Sequence, residues 1–529
     1  MSLDASPFSE HLNTSYCPTE DEVGAINTLL VEPQARLAAL EGTIQKLQEE
    51  RDALARSIAA HEALVAPMRR LPLDMLREIF SACLPSERNC AMSASEAPLL
   101  LARVCSRWRT VALETPSLWT QLHIVQPTCP PWMYTRGPQT MLTTKLAQRM
   151  DVARWWLDRS GQCPLSISLL AGDIPVEGSE TGATCRLIEL IGEYLSRWQA
   201  IDFSFAITKD IFDVLKQLPR SSAPSLTKLV LNCSGSSQDD FIDWSVLTFL
   251  KGVELRACKF NNCGPQALSL PINWRKLTRL ELSENSAPVL ESDIVRVLND
   301  CVCLQTLIVT LFEAWPSPGT GAEPAAASVQ TSISSPLHTL HLSGTSSFMA
   351  HVACPELRSL HFQHLRRNMG DPNTNSLIHL LSTSPKLKSI HLSSQLDEEG
   401  LTRVLHALPL SVTRLSIMET SRPSAIDDAA LGGMFGSEES LPNLEELILD
   451  TWENFSAEAI SKALKNRVDT RFRTFKAVFR EIPDTITSSE SEVLLPFTQK
   501  GIEILLDYPV APRFSAFRGL YDTEGQYIW

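Results

Sequence analysis

The sequence holds 529 residues, 44% of them apolar and 20% charged, as expected of a folded chain with several domains and a sizeable core. Its net charge is −14 with Asp and Glu scattered, so it lacks the basic stripe that a nucleic-acid backbone or an anionic membrane attracts, and neither is expected as a partner. No segment reaches about 18 uninterrupted apolar residues and the start carries no basic stretch followed by an apolar run, which points to a cytoplasmic or nuclear location.

Residues 1–25 are polar and acidic and are expected to be disordered. Residues 26–66 carry heptads, with Leu30, Leu37, Ile44, Arg51, Ile58 and Val65 in one register and Leu40, Leu47, Leu54, His61 and Met68 in the other. Pro33 in a first turn and Pro67 as a stop give a coiled-coil-like helix of around 34 residues, about 50 Å long. The seam calls for self-association through residues 30–66 or for packing along the chain's own helices. Arg51 and His61 weaken it, and the flanking Arg36, Glu41, Glu50 and Glu62 do not encode an obvious partner.

Residues 67–122 open with Leu71-Pro72-Leu73-Asp74-Met75-Leu76-Arg77-Glu78-Ile79-Phe80, continue at Leu99-Leu100-Leu101-Ala102-Arg103-Val104-Cys105-Ser106-Arg107-Trp108-Arg109, and close with Pro116-Ser117-Leu118-Trp119. Pro72 suits a helix's first turn, where a missing N–H is no loss, and Leu73, Leu76, Ile79, Phe80 and Cys83 recur at helical spacing. Leu100, Leu101, Val104, Trp108, Val111 and Ala112 form a second stripe, with Arg103, Arg107 and Arg109 on its wet side. Two or three short helices result. A segment of roughly 50 residues does not bury that much apolar surface alone, so it packs on its own chain or on a partner.

The ordered set Leu-Pro, Ile-Phe, Val-Cys-x-x-Trp-Arg and Pro-x-Leu-Trp resembles an F-box. The resemblance implies a helical module that docks on the Skp-type adaptor of a cullin-RING ubiquitin ligase, with Leu71, Pro72, Leu76, Ile79, Phe80, Val104 and Trp108 as the residues matching the motif and meeting the adaptor. The join from Pro85 to Pro98 is longer than in most F-boxes.

Residues 123–197 read as a connection: a helix over 141–157 marked by Leu142, Leu146, Met150, Ala153 and Trp156, strand alternation from Pro164 to Leu169, then a loop over 173–183. Beyond it, over 198–505, the pattern apolar-x-x-apolar-x-apolar recurs at Trp198-Ile201-Phe203, Leu226-Leu229-Leu231, Leu250-Val253-Leu255, Leu277-Leu280-Leu282 and Leu304-Leu307-Val309. It continues at Leu337-Leu340-Leu342, Leu357-Leu360-Phe362, Leu387-Ile390-Leu392, Val412-Leu415-Ile417, Leu444-Leu447-Leu449 and Phe472-Phe475-Ala477. Starts lie between 20 residues (Leu337 to Leu357) and 33 residues (Leu304 to Leu337) apart, with helical pieces such as 210–218 and 398–408 between them. This resembles leucine-rich repeats. The expected fold is α/β: a long N-terminal helix and helical F-box, then an irregular solenoid with parallel strands on the concave side and helices on the convex side. Residues 314–336 and 420–442 read as flexible excursions, 494–505 as a closing helix and strand, and the aromatic tail 506–529 as packing back in part.

Within each unit the first, fourth and sixth residues face the core, so the fifth faces the concave side. That position reads Asp202, Val230, Glu254, Glu281, Ile308, His341, His361, His391, Ser416, Ile448 and Lys476. The three histidines are expected to form a ladder near Glu254 and Glu281, contacting a target with affinity that changes near pH ~6.5, or else to be a solvated polar row. Metal binding is the lesser alternative, because rings stacked in parallel do not readily converge on one ion, and no metal ligand is assigned.

The thirteen cysteines, from Cys17 to Cys354, are odd in number and are expected to be reduced. Cys258 with Cys263 and Cys301 with Cys303 lack companion pairs at zinc-finger spacing and read as buried small hydrophobes. Phosphate-binding, dinucleotide-binding, nucleophile-elbow and zinc-helix motifs are all missing, so no cofactor and no catalytic residue is assigned. The whole resembles F-box proteins with leucine-rich repeats, its Pro-Ser-Leu-Trp close resembling versions abundant in mushroom-type fungi. The resemblance implies a non-catalytic substrate receptor of a ubiquitin ligase. The rivals are a self-associating scaffold and an F-box protein acting without ubiquitin transfer.

Overall fold

The computed structural model describes residues 6–509 apart from 66, 128–138, 173–179, 221–222, 235–241, 284–288, 311–332, 345–347, 364–373, 395, 421, 423, 436–440, 469 and 481–488. The chain divides into two compact units, Met1–Ile79 and Phe80–Trp529.

The first unit is dominated by α1 (Glu20–Val65), 46 residues or about 69 Å long. It starts well before the expected position, and Glu22 ties down the turn ahead of it: its carboxylate accepts from the Thr19 backbone N–H at 2.7 Å and from the Thr19 hydroxyl at 2.9 Å. Those hydrogen bonds hold the Glu22 carboxyl below its usual range. Pro33 therefore lies inside the helix rather than in its first turn, and of the residues expected to be disordered, 20–25 are helical. Pro72 stands just before α2 (Leu73–Ala82), its carbonyl accepting from the Leu76 N–H at 3.1 Å.

In the second unit come α3 (Leu101–Val104), α4 (Ser106–Leu113) and a 3-10 turn, Pro116–Trp119. The buried Trp119 indole donates to the Ala112 carbonyl at 2.8 Å and meets Trp155 and Trp156 edge-on, with ring centroids 5.1 and 4.9 Å away. Among the described residues sixteen strands follow: β1 (Gln121–Val125), β2 (Leu165–Leu170), β3 (Trp198–Ala206), β4 (Lys228–Ser234), β5 (Ala257–Asn261), β6 (Arg279–Ser283), β7 (Thr306–Thr310), β8 (Ile333–Ser334), β9 (Thr339–Ser343), β10 (Val352–Ala353), β11 (Ser359–Gln363), β12 (Ser389–Ser394), β13 (Arg414–Glu419), β14 (Glu446–Thr451), β15 (Thr474–Phe479) and β16 (Glu503–Asp507). All but the short β8–β10 pair join one parallel sheet of 14 strands in chain order. The sheet therefore starts at Gln121, not at Trp198, and takes in most of the segment expected to be a mere connection.

Register holds from strand to strand, with Leu307, Leu340, Leu360, Ile390, Leu415, Leu447 and Phe475 side by side, all buried. Each parallel step requires a crossover, which α5 (Gln139–Arg159), α6 (Glu180–Gly192), α7 (Lys209–Gln217), α8 (Glu291–Asp300), α9 (Thr374–Ser382), α10 (Glu398–His406), α11 (Asp428–Phe435), α12 (Ala457–Leu464) and α13 (Ser489–Gln499) supply along most of the sheet. Thr208, Asp397 and Ser456 cap three of these helices by accepting from the backbone three residues on. From β4 to β6 the described residues of the crossovers hold 3-10 turns instead.

One expected excursion carries regular structure among its described residues. In residues 420–442 the buried Glu419 carboxyl gathers the Ser424 hydroxyl and the Ala425 N–H, both at 2.7 Å, the Ile426 N–H at 3.1 Å and the Trp452 N–H at 3.3 Å, and α11 follows. Most of the other excursion, residues 311–332, and the tail from 510 lie outside the described residues, while α13 and β16 close the sheet where a helix and strand were expected. The long join 85–98 lines the outer edge of β1, where the His123 N–H donates to the Cys90 carbonyl at 2.8 Å and Ala91 bridges His123 in parallel.

Candidate functional site

Alternation leaves the sheet one buried row and one open row. Register along the open row runs His123, Ser168, Asp202, Val230, Lys259, Glu281, Ile308, His341, His361, His391, Ser416, Ile448, Lys476 and Leu505, with Val230 itself buried. Glu254 is not in it. It is exposed before β5, and Lys259 takes its place, because Leu255-x-x-Cys258-x-Phe260 repeats the apolar pattern five residues later and is the copy that pairs. Lys259 is ion-paired with Glu281, which also lies 3.7 Å from Arg279.

The three histidines form the expected ladder. The rings of His341 and His361 stack at 5.1 Å and 28°, those of His361 and His391 at 4.2 Å and 15°, and His391 Nδ1 lies 2.8 Å from the Ser416 hydroxyl. Beside them a cavity of about 340 Å³ is lined by Ser359, Ser389, Arg414, Ser416, Glu446 and Ile448. Half-burial lowers the pKa of all three rings. His361, between two neighbours whose charge would repel its own, is pushed down to about 4; His341 is lowered further by Arg279 against the pull of Glu281, and His391 by His341 against Asp450. The ladder is therefore neutral near pH 7, and the expected titration at pH ~6.5 moves to lower pH.

The folded chain accordingly binds fewer protons here than the unfolded chain once pH drops below ~6.5. The contribution is full above that value and declines as pH falls toward 4. Thermal unfolding midpoints should fall over this window by less in His361→Gln than in the parent; identical pH slopes would exclude the ladder as their source.

At the start of the row a second cavity, of about 440 Å³, is lined by Arg88, Asn89, His123, Ser168, Asp202 and Lys228 among others. The Ser168 hydroxyl lies 2.8 Å from His123 Nδ1 and accepts from the Asn89 amide at 3.1 Å. Burial lowers the His123 pKa and raises that of Asp202. The signal that would have found His123 is Trp119-x-x-Leu122-x-Ile124, one more copy of the repeat pattern.

Of the residues matched to the F-box motif, Leu76 and Phe80 are buried, and the Phe80 ring packs against Trp108 at 4.9 Å and 59°. Leu71, Ile79 and Trp108 are half-buried, Pro72 is exposed, and Val104 is 56% exposed. Sequence matching missed Leu73, Met75 and Leu100, which are also exposed. Cys258, Cys263 and Cys301 are buried as expected, Cys303 is exposed, and burial pushes the Cys301 and Cys354 thiols up to about 12. Among the described residues no cluster of three His, Cys, Asp or Glu side chains is placed to hold a metal ion, and no helix is long and apolar enough to cross a membrane.

No family model and no curated protein matches the sequence. Among solved structures the chain is similar to the leucine-rich repeat-containing protein LegL7 from Legionella pneumophila, at 15% identity over 59% of this chain and 94% of that one, with a TM-score of 0.27.

Proposed function

We propose that this chain is a non-catalytic substrate receptor of a Skp-cullin-F-box ubiquitin ligase, residues 67–122 docking the Skp-type adaptor and the open sheet row holding a protein target. The observation that carries the reading is the exposed apolar pair Leu100 and Val104, one helical turn apart in the segment that resembles an F-box, at 44% and 56% exposure. Exposed side chains of that size gain stability when a partner covers them. On the target side, the reading is supported by an open row that runs the length of the parallel sheet and carries a neutral imidazole stack with Arg414 and Glu446 at its flank.

The test is capture of a purified adaptor by the full chain. Leu100→Glu with Val104→Glu should weaken it at least ~30-fold, about 2 kcal/mol, with the unfolding midpoint unchanged. Full affinity in a folded double variant would refute the docking face. Replacing His341, His361 and His391 by Ala should reduce ubiquitination of captured target while adaptor binding persists.

A further inference from the structure

We infer that α1 pairs in parallel with α1 of a second copy of this chain through the heptad face that follows Pro33. Leu37, Leu40, Ile44, Leu47, Leu54 and Ile58 fall on that face and are between 50% and 61% exposed. A strict seven-residue repeat on a helix of this length selects a left-handed supercoil of helices. Covering two such stripes removes roughly 1,400 Å² of surface, within the range of stable interfaces.

The charges choose the occupant and its direction. In a parallel pair, residues flanking the seam meet across it five positions apart, which sets Arg36 of each chain against Glu41 of the other. Arg51 sits on the seam itself, and the hole it enters includes Glu50 of the second copy; in the single chain its guanidinium turns outward to Asp52 at 2.6 Å. Antiparallel registers that keep the seams overlapped bring like charges together, either Glu50 against Glu50 or Glu41 against Glu62. A charged seam residue with its counter-ion next to it thus rewards one arrangement and penalises the other.

Sedimentation of the full chain should give twice the mass of one chain, and Leu40→Glu with Leu47→Glu should give a monomer whose second unit unfolds at an unchanged temperature. Direction is read at Cys17, which is exposed just ahead of the Thr19 cap. With Cys83, Cys105 and Cys303 replaced by Ser, mild oxidation should link two chains through Cys17; in an antiparallel pair those thiols would stand roughly 100 Å apart. Arg36→Glu should weaken the dimer several-fold, and Arg36→Glu with Glu41→Arg should restore it. A monomer at about 50 μM, a dimer that survives Leu40→Glu with Leu47→Glu, or a dimer that does not link through Cys17 would each overturn the inference. The measurement needs no adaptor or target, so it stands apart from the receptor reading.

Discussion

Trp119→Ala is expected to destabilise the second unit by about 3–5 kcal/mol, enough to leave much of the protein unfolded or aggregated at 37 °C. The residue is fully buried, fills the angle between Trp155 and Trp156, and uses its indole N–H on the carbonyl of Ala112, near the end of α4. Truncation empties the space of a buried indole and removes one donor from that carbonyl, which the Thr115 N–H also approaches at 3.4 Å. Trp119→Phe separates the two effects: it keeps most of the volume and loses only the hydrogen bond, so its loss should be nearer 1–2 kcal/mol, as an order of magnitude. Urea unfolding followed by tryptophan fluorescence and far-UV circular dichroism measures both; a Trp119→Ala loss below about 1 kcal/mol would mean that the neighbouring indoles close the gap.

The second large effect is expected at Glu419. Its two oxygens are the acceptors for three backbone N–H groups and one hydroxyl, from residues 424–426 and Trp452. Glu419→Ala should destabilise by roughly 2–4 kcal/mol, because the buried Ile426 N–H loses its acceptor at a cost of about 1–3 kcal/mol and the part-buried Ala425 and Trp452 N–H groups lose theirs at less. Glu419→Gln retains one acceptor oxygen and should lose less. Hydrogen exchange localises the effect: the amides of Ala425, Ile426 and Trp452 should lose protection first, ahead of the β13–β14 ladder. Uniform loss over the whole sheet would show that the carboxyl supports the repeat stack rather than this loop.

What was legible in the sequence was the buried row. Leu, Ile and Phe at the first, fourth and sixth positions have one physical reason to recur, and the structure sets them side by side from β3 to β15 with one unit misplaced. The misplacement has a local cause. Leu255 can end one copy of the pattern or begin the next, and only pairing with β4 and β6 decides in favour of Cys258 and Phe260. The histidine ladder was readable because alternation alone settles which face a strand residue takes; its protonation was not, since that depends on how closely three rings approach and how much water they lose. Among the residues matched to the F-box, apolar identity could not separate side chains that fill the chain's own core, such as Phe80, from those left outside, such as Val104.

A sheet whose strands pair in chain order has two ends. At the first, the join carrying Cys90 and Ala91 lies along β1 and takes up the His123 N–H. An uncovered outer strand is a template on which another chain's strand adds, and growth from it propagates sheet on sheet. Shortening residues 85–98 to a compact turn would therefore do more than shift two helices: it would unblock one rim of the sheet, and the damage would show as ordered, concentration-dependent polymerisation rather than as lost folding.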